Sequence, residues 1–334
     1  MQTPVPNLYA KYGDPHRVVE FRIFSFNKCG AGCKNCFYQK TNNNYNDFKS
    51  VLNLANEMKL NQYALETCYL LPTDVFENDF NYKLFDDSDF QQVISLFNYI
   101  GLATTLRNGY DEAFMQKVLS MNEGRIKVEL HVNLREDLLN DETYIQDLEC
   151  NLISLKTKFG EKVLINLAVN LGSKLSEADH LLLKRLVCNY SDDKILEMNF
   201  TFMFNSSISK ETKVKYLKDS YPTMQYFSNE FSKVESEFNR RTLLRKPSFV
   251  FKDGQIYLLP IIPFDEYVFL EEEACRLHSP TFESFLIAYS KLQETNLPIL
   301  KECENCHYLE YCSGKGFFSL AQSLNLPCIK EVSF

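Results

Sequence analysis

Eleven of the 334 residues are cysteine, and seven of them fall into two groups whose spacing suits metal chemistry. Cys29-Gly-Ala-Gly-Cys33-Lys-Asn-Cys36 is a C-x3-C-x2-C run. A triple with that spacing would arise by chance roughly 0.01 times in a chain of this composition. Gly30 and Gly32 let a short loop wrap a cluster, because glycine reaches positive φ without a steric penalty. Three thiolates leave one iron of a [4Fe-4S] cube without a protein ligand, and that iron is then open to a substrate or cofactor. On ligand count alone, a zinc knuckle lacking its fourth ligand is the bland alternative. Near the other end, Cys303, Cys306, Cys312 and Cys328 supply four thiolates, enough to close either a zinc site or a cluster, with His307 as a further zinc donor. Cys68, Cys150, Cys188 and Cys275 have no metal spacing and read as small buried apolar residues. Cys68 stands apart in one respect: two positions from Glu66 on a predicted strand, it is a candidate hydrogen-atom donor into whatever space that face borders.

Composition narrows the classes. The net charge of −8 gives no basic footprint for nucleic acid. No apolar run approaches the ~20 residues that span a bilayer. Met1 to Tyr12 lacks a charged segment followed by an apolar one, so a cytoplasmic location is expected. That location and the odd cysteine count argue against a disulfide framework. With 45% apolar residues the chain can bury a full core.

The elements that must position these cysteines are six predicted strands, each followed by a helical pattern: 17–26, 62–71, 101–107, 125–134, 163–171 and 195–204. Alternating strands and helices imply parallel βαβ units. Parallel strands usually read as continuous apolar runs, yet the fourth alternates strictly. Arg125, Lys127, Glu129, His131 and Asn133 share one face, while Ile126, Val128, Leu130, Val132 and Leu134 share the other. The same division sets Glu20 and Arg22 against Val19, Phe21 and Ile23, Asn166 and Asn170 against Ile165, Leu167 and Val169, and Glu197, Asn199 and Thr201 against Met198, Phe200 and Phe202. If the apolar faces pack under the helices, the polar faces converge on a lumen, which a closed, filled barrel would line with Val, Ile and Leu. An open α/β barrel with a polar cavity is expected.

C-x3-C-x2-C followed by the aromatic Phe37 resembles the signature of the radical S-adenosylmethionine (radical SAM) superfamily. The resemblance implies a partial (β/α)6 TIM-like barrel with the cluster loop after strand one, at the C-terminal edge where barrel active sites form. It also implies S-adenosylmethionine bound at the open iron and cleaved by an electron to a 5′-deoxyadenosyl radical that takes a substrate hydrogen. In that family a glycine-rich, acid-ended turn after strand two binds the cofactor's amino group. Here the stretch is Leu71-Pro72-Thr73-Asp74, which keeps the acid, Asp74, and lacks the glycines. Thr105-Leu106-Arg107-Asn108-Gly109 resembles the family's Thr-Asn-Gly segment, which makes Asn108 a candidate cofactor contact beside an ordinary Asn-Gly turn reading. His131, Asn133 and Asn170 lie at strand ends where the family places contacts to cofactor or substrate.

Residues 1–16 read as an N-terminal arm, 17–246 as the barrel and 247–334 as an auxiliary domain. The stretch 204–247 is helical and charged in pattern and ends in a basic run, Arg240 to Lys246, that reads as a solvated helix end. Beyond it, 248–259 reads as a hairpin turning at Asp253-Gly254, and 284–301 as a helix leading into the four-cysteine group. This succession resembles the SPASM/twitch extension of one radical SAM branch. Gly316 stands where a SPASM extension has a further cysteine, and the hairpin positions around Gly254 and Leu259 carry none, so one auxiliary [4Fe-4S] cluster on Cys303, Cys306, Cys312 and Cys328 is implied. Members of that branch modify ribosomally made peptides or dehydrogenate small molecules. The expectation is a peptide substrate, crosslinked, epimerised or oxidised, and a flavodoxin- or ferredoxin-type reductant. The short N-terminal arm suggests a separate leader-recognition protein. A small-molecule dehydrogenase or epimerase, and a non-catalytic zinc or iron-sulfur scaffold, are the rival expectations.

Overall fold

In each βα unit a strand that buries one apolar face feeds a helix that opens on a capping side chain. The structure, a computed structural model, describes residues 17–24, 47–71, 74–77, 83–194, 196–199, 208–230, 247–252, 254–258 and 276–294. The strands are β1 (Val18–Phe24), β2 (Ala64–Leu71), β3 (Tyr99–Thr104), β4 (Lys127–Arg135), β5 (Val163–Asn170) and β6 (Leu196–Asn199). Between and after them run α1 (Phe48–Leu60), α2 (Ser88–Ile94), α3 (Glu112–Ser120), α4 (Glu142–Phe159), α5 (Glu177–Tyr190) and α6 (Lys210–Glu230). Asp47, Asp87, Asp111 and Asp141 each accept backbone N–H bonds at the head of α1 to α4, and Ser176 with Asp179 forms a capping box on α5. Such caps satisfy donors that have no partner inside the helix.

All six strands pair in parallel in the order β6-β5-β4-β3-β2-β1. Their apolar faces are sealed by the helices: Val19, Phe21 and Ile23 of β1 and Val128, Leu130 and Val132 of β4 are wholly buried. So are Val51, Leu54 and Met58 of α1 and Leu148, Leu152 and Leu155 of α4, at the three- and four-residue spacing that puts one helix stripe on the sheet. Observed strand bounds fall within a few residues of the predicted ones, while predicted strand residues 25–26, 195 and 200–204 lie outside the described residues.

The predicted hairpin exists as β7 (Ser248–Lys252) and β8 (Gln255–Leu258), antiparallel, with Gly254 at φ 70° in the turn. It does not stand apart from the barrel. β7 pairs in parallel with β1, and β8 carries a two-residue strand β9 (Arg276–Leu277), so the sheet runs on as nine strands. Phe21 meets the rings of Phe97, Phe249 and Phe251 at 5.0, 5.3 and 4.9 Å, which locks this seam. The last described helix, α7 (Phe282–Glu294), packs Phe285 on Tyr63 and Phe249. On the far side, His180 of α5 bonds Thr223 of α6 at 2.9 Å and stacks on Tyr226.

One irregularity matters for the site. Val19 pairs with Leu65 but Phe21 pairs with Cys68, so β2 carries one extra residue there, a β-bulge. Leu65 and Cys68 therefore both face the helices, opposite two buried β1 side chains. Thr67 and Tyr69 face the other way.

Candidate functional site

The inward polar face is built by side chains that reach across intervening strands. Strands two apart are separated by about 10 Å in a flat sheet. Even so, Thr67 on β2 donates to Glu129 on β4 at 3.2 Å, and Asn199 on β6 donates to Asn133 on β4 at 3.2 Å. The sheet curves toward its polar side, where Glu129, His131, Asn133, Asn166, Glu197 and Asn199 of the expected lumen face meet, whereas Arg125 and Lys127 are exposed and Thr201 lies outside the described residues.

Glu129 is the hub. Its Oε2 accepts from Thr67 Oγ1 and from the Tyr69 hydroxyl, both at 3.2 Å, and its Oε1 accepts from Asn166 Nδ2 at 2.9 Å. His131, two residues along the same face, sets Nε2 3.4 Å from Glu129 Oε1 and Nδ1 3.1 Å from Glu197 Oε2. Burial alone would push this imidazole down, but the Glu197 and Glu129 carboxylates outweigh it and hold the pKa well above the ordinary value. Burial likewise pushes Glu129 up, and the bonds and charge of His131 with those of Thr67 and Tyr69 bring it below the usual carboxylate range. At neutral pH the group is an imidazolium between two carboxylates.

The Tyr69 ring lies across β3 at Gly101, its register partner. A Cβ on Gly101 would sit 2.0 Å from the ring, so only glycine lets the phenol cross β3 to reach Glu129. The His131 ring meets Tyr69 edge-on at 5.3 Å, and the Arg22 guanidinium lies 5.5 Å from its centroid. Arg22 is itself fixed by a 3.0 Å bond to Ser248 on β7 and by Glu20 at 3.9 Å. The hairpin thus reaches into the site.

At the C-terminal edge the expected contacts divide. Asn133 is bonded by Asn199, and Asn170, at the end of β5 in register with Arg135 and Asn199, has a buried Oδ1 with no hydrogen-bond partner among the described residues. Asp74 is buried and bound within the protein. Its Oδ2 accepts from the Thr105 N–H at 2.6 Å and hydroxyl at 2.7 Å, and its Oδ1 from the Phe76 N–H at 3.1 Å, which clasps the β2 edge to the β3 edge. Asn108 donates to Glu77 at 2.6 Å on the exposed rim. Cys68 is buried in the helix-covered core, where burial pushes its thiol pKa up. The expectation that it faces the lumen with Glu66 is corrected by the strand alternation, since Thr67 and Tyr69 occupy that face. Cys150 and Cys188, expected to be buried, are instead exposed on α4 and α5. Cys29, Cys33, Cys36, Cys303, Cys306, Cys312 and Cys328 lie outside the described residues, as does Cys275.

Sequence reasoning placed Glu129 and Glu197 on the polar face without singling them out, and it missed Tyr69, Thr67 and Gly101. It also missed Glu136, just beyond β4, whose Oε2 accepts from the Gly172 and Ser173 N–H groups at 2.9 and 3.1 Å and so ties down the loop after β5. A strict alternation in β4 is the only sequence sign of the hub; nothing in the sequence marks the bulge that turns Tyr69 inward.

No protein-family model and no curated protein matches the chain. Among solved structures it is similar to Streptococcus suis SuiB bound to precursor peptide SuiA, at 12% identity and a TM-score of 0.50 over 92% of this chain and 73% of that one. It also aligns with native anSMEcpe with bound AdoMet and Cp18Cys peptide, at 16% identity and a TM-score of 0.44 over 92% and 98% of the two chains. Histidine-tagged anSMEcpe with bound AdoMet aligns at 16% and 0.46 over 89% and 88%.

Proposed function

We propose that this chain, whose fold is the partial barrel of the radical SAM enzymes, binds S-adenosylmethionine over a [4Fe-4S] cluster held by Cys29, Cys33 and Cys36 and removes a hydrogen atom from a peptide. The observation that carries the reading is the inward polar face of Glu129, His131 and Glu197, set in a parallel barrel whose first strand ends at Phe24, five residues before the three-cysteine run. A parallel sheet covered by helices has no structural need of such a face. The solved structure of SuiB, which shares this fold, holds a precursor peptide, and that favours a peptide here.

The residues present fit the cofactor at one testable point. Asn170 Oδ1 is a buried acceptor with no donor among the described residues, and S-adenosylmethionine carries both ribose hydroxyls and an ammonium group. We assign Asn170 and Asn133 to that contact. Asp74 and Asn108, engaged with Thr105 and Glu77, hold the edges of the β2 and β3 loops on which a ligand would rest. When bound and reduced by one electron, the cofactor supplies methionine and a 5′-deoxyadenosyl radical. The chain's own residues do the rest. Imidazolium His131 holds Glu129 below the usual carboxylate range and pairs with Glu197 on its other nitrogen. Glu129 draws Thr67 and Asn166 to one level of the wall, and a wall of this kind orients a substrate carbon and excludes water. We assign Cys303, Cys306, Cys312 and Cys328 to one closed auxiliary cluster in an extension spanning 247–334, whose hairpin continues the barrel sheet. A flavodoxin- or ferredoxin-type reductant and a separate leader-recognition protein complete the proposal.

Anaerobic reconstitution with iron and sulfide, then incubation with S-adenosylmethionine and dithionite, tests it. 5′-Deoxyadenosine and methionine are expected in equal amounts. If neither forms, with or without candidate peptides from neighbouring genes, the reading fails.

A further inference from the structure

We propose that Tyr69 is the hydrogen-atom donor of this site, returning a hydrogen to a carbon radical in the lumen; the inference rests on the radical reading above. Cys68, the donor expected from sequence, faces the helices, and the neighbouring residue occupies the lumen side in its place.

Four observations support the assignment. Tyr69 lies two residues from the C-terminal end of β2 and in register with Arg22, two residues from the end of β1, the strand that leads to the three-cysteine run. Its ring is preformed: it lies over Gly101, with Arg22 at 5.5 Å and the His131 ring at 5.3 Å. The residue is half-buried, and its ring lies on the polar face with Glu129 rather than under the helices. Its hydroxyl is loosely held, because 3.2 Å to Glu129 Oε2 is long for an O–H···O bond, and that oxygen also takes the Thr67 hydroxyl. The hydroxyl can therefore rotate toward the lumen, and Glu129 stands beside it to pass a proton afterwards. Burial, with Glu20 and Glu129 adding to it and Arg22 opposing, keeps the phenol protonated and so carrying its hydrogen. The chain has no tryptophan, which leaves tyrosine as its most readily oxidised aromatic side chain.

The step balances as follows. The phenolic O–H bond breaks homolytically, a C–H bond forms on the substrate carbon, and Tyr69 becomes a neutral phenoxyl radical. One electron from a low-potential one-electron donor, flavodoxin- or ferredoxin-type in the cell and dithionite in vitro, together with one proton through Glu129, restores the phenol. The substrate loses one hydrogen and regains another without net oxidation. The reaction class is inversion at a saturated carbon, which selects epimerisation from among the peptide modifications considered.

The test uses the full chain, reconstituted anaerobically and turned over in D2O with S-adenosylmethionine and dithionite but no peptide. Under these conditions the 5′-deoxyadenosyl radical itself meets the exchangeable Tyr69 O–D. The parent is expected to give mono-deuterated 5′-deoxyadenosine, and freeze-quenched samples a tyrosyl radical signal that narrows with ring-deuterated tyrosine. Tyr69→Phe keeps the ring over Gly101, its folding checked by thermal unfolding, and loses both the label and the signal. Tyr110→Phe, at a phenol bonded to Ser154 on the helix layer, retains both. Unlabelled product from the parent, or label undiminished in Tyr69→Phe, overturns the inference and leaves the radical SAM reading standing. Absence of 5′-deoxyadenosine in every sample overturns both.

Discussion

His131 shows how much a single side chain depends on what faces it. On β4 it is one polar residue in an alternating strand; in the fold each ring nitrogen is opposed by a carboxylate, Nε2 by Glu129 and Nδ1 by Glu197. Its folded pKa is raised, so its charge adds stability that is fully present below the ordinary value of 6.5 and is lost as pH rises through the raised one. The lowered pKa of Glu129 adds stability that is present above 4.5 and is lost as pH falls through the lowered value. Urea unfolding of the parent and His131→Asn between pH 4 and 10 is therefore expected to show the parent ahead by the widest margin from about pH 4.5 to 6.5, with the gap closing at higher pH. A gap that widens above pH 6.5 would contradict the imidazolium assignment.

At the scale of elements, the site depends on how β2, β3 and β4 are stacked side by side. The bulge in β2 turns Thr67 and Tyr69 inward, and Gly101 leaves β3 without a side chain where the phenol crosses. Gly101→Ala places a methyl group 2.0 Å from the Tyr69 ring. The ring must move, breaking its bond to Glu129, and such overpacking costs about 1–3 kcal/mol. Thermal and urea unfolding should show that loss in Gly101→Ala. In Gly101→Ala with Tyr69→Ala the further cost of the methyl should largely vanish, because the two residues are in direct contact and couple. Independent, additive effects would mean that the ring does not rest on Gly101. The helices are less demanding: their aspartate caps and spaced apolar stripes are local patterns, although the expectation from sequence was only that a helix follows each strand.

For the whole molecule, the question is how many metal centres one chain carries. The described sheet continues from the barrel through β7, β8 and β9, so the segment that leads toward the last four cysteines is anchored on β1, the strand that leads to the three-cysteine run. If both cysteine groups hold [4Fe-4S] clusters, reconstituted protein contains about eight irons per chain, and Cys29→Ala with Cys33→Ala and Cys36→Ala brings this to about four. About four irons with one zinc in the parent would assign the C-terminal group to zinc instead. Among the described residues no helix is long and apolar enough to cross a membrane.

The sequence by itself determined the parallel α/β plan, six strand positions, the polar and apolar faces and the hairpin, because each follows from periodicity or turn chemistry within a few residues of chain. The cysteine spacing, too, was a local pattern, and it carried the expectation of cluster chemistry. Only the tertiary structure decided which polar residues meet. Alternation put Glu129, His131 and Glu197 on one face but not in one cluster, and it sent Cys68 to the wrong side. The curvature that brings β4 to β2 and β6, the extra residue in β2, and the glycine that lets one phenol span a neighbouring strand are relations between segments tens of residues apart, and no single strand's pattern contains them.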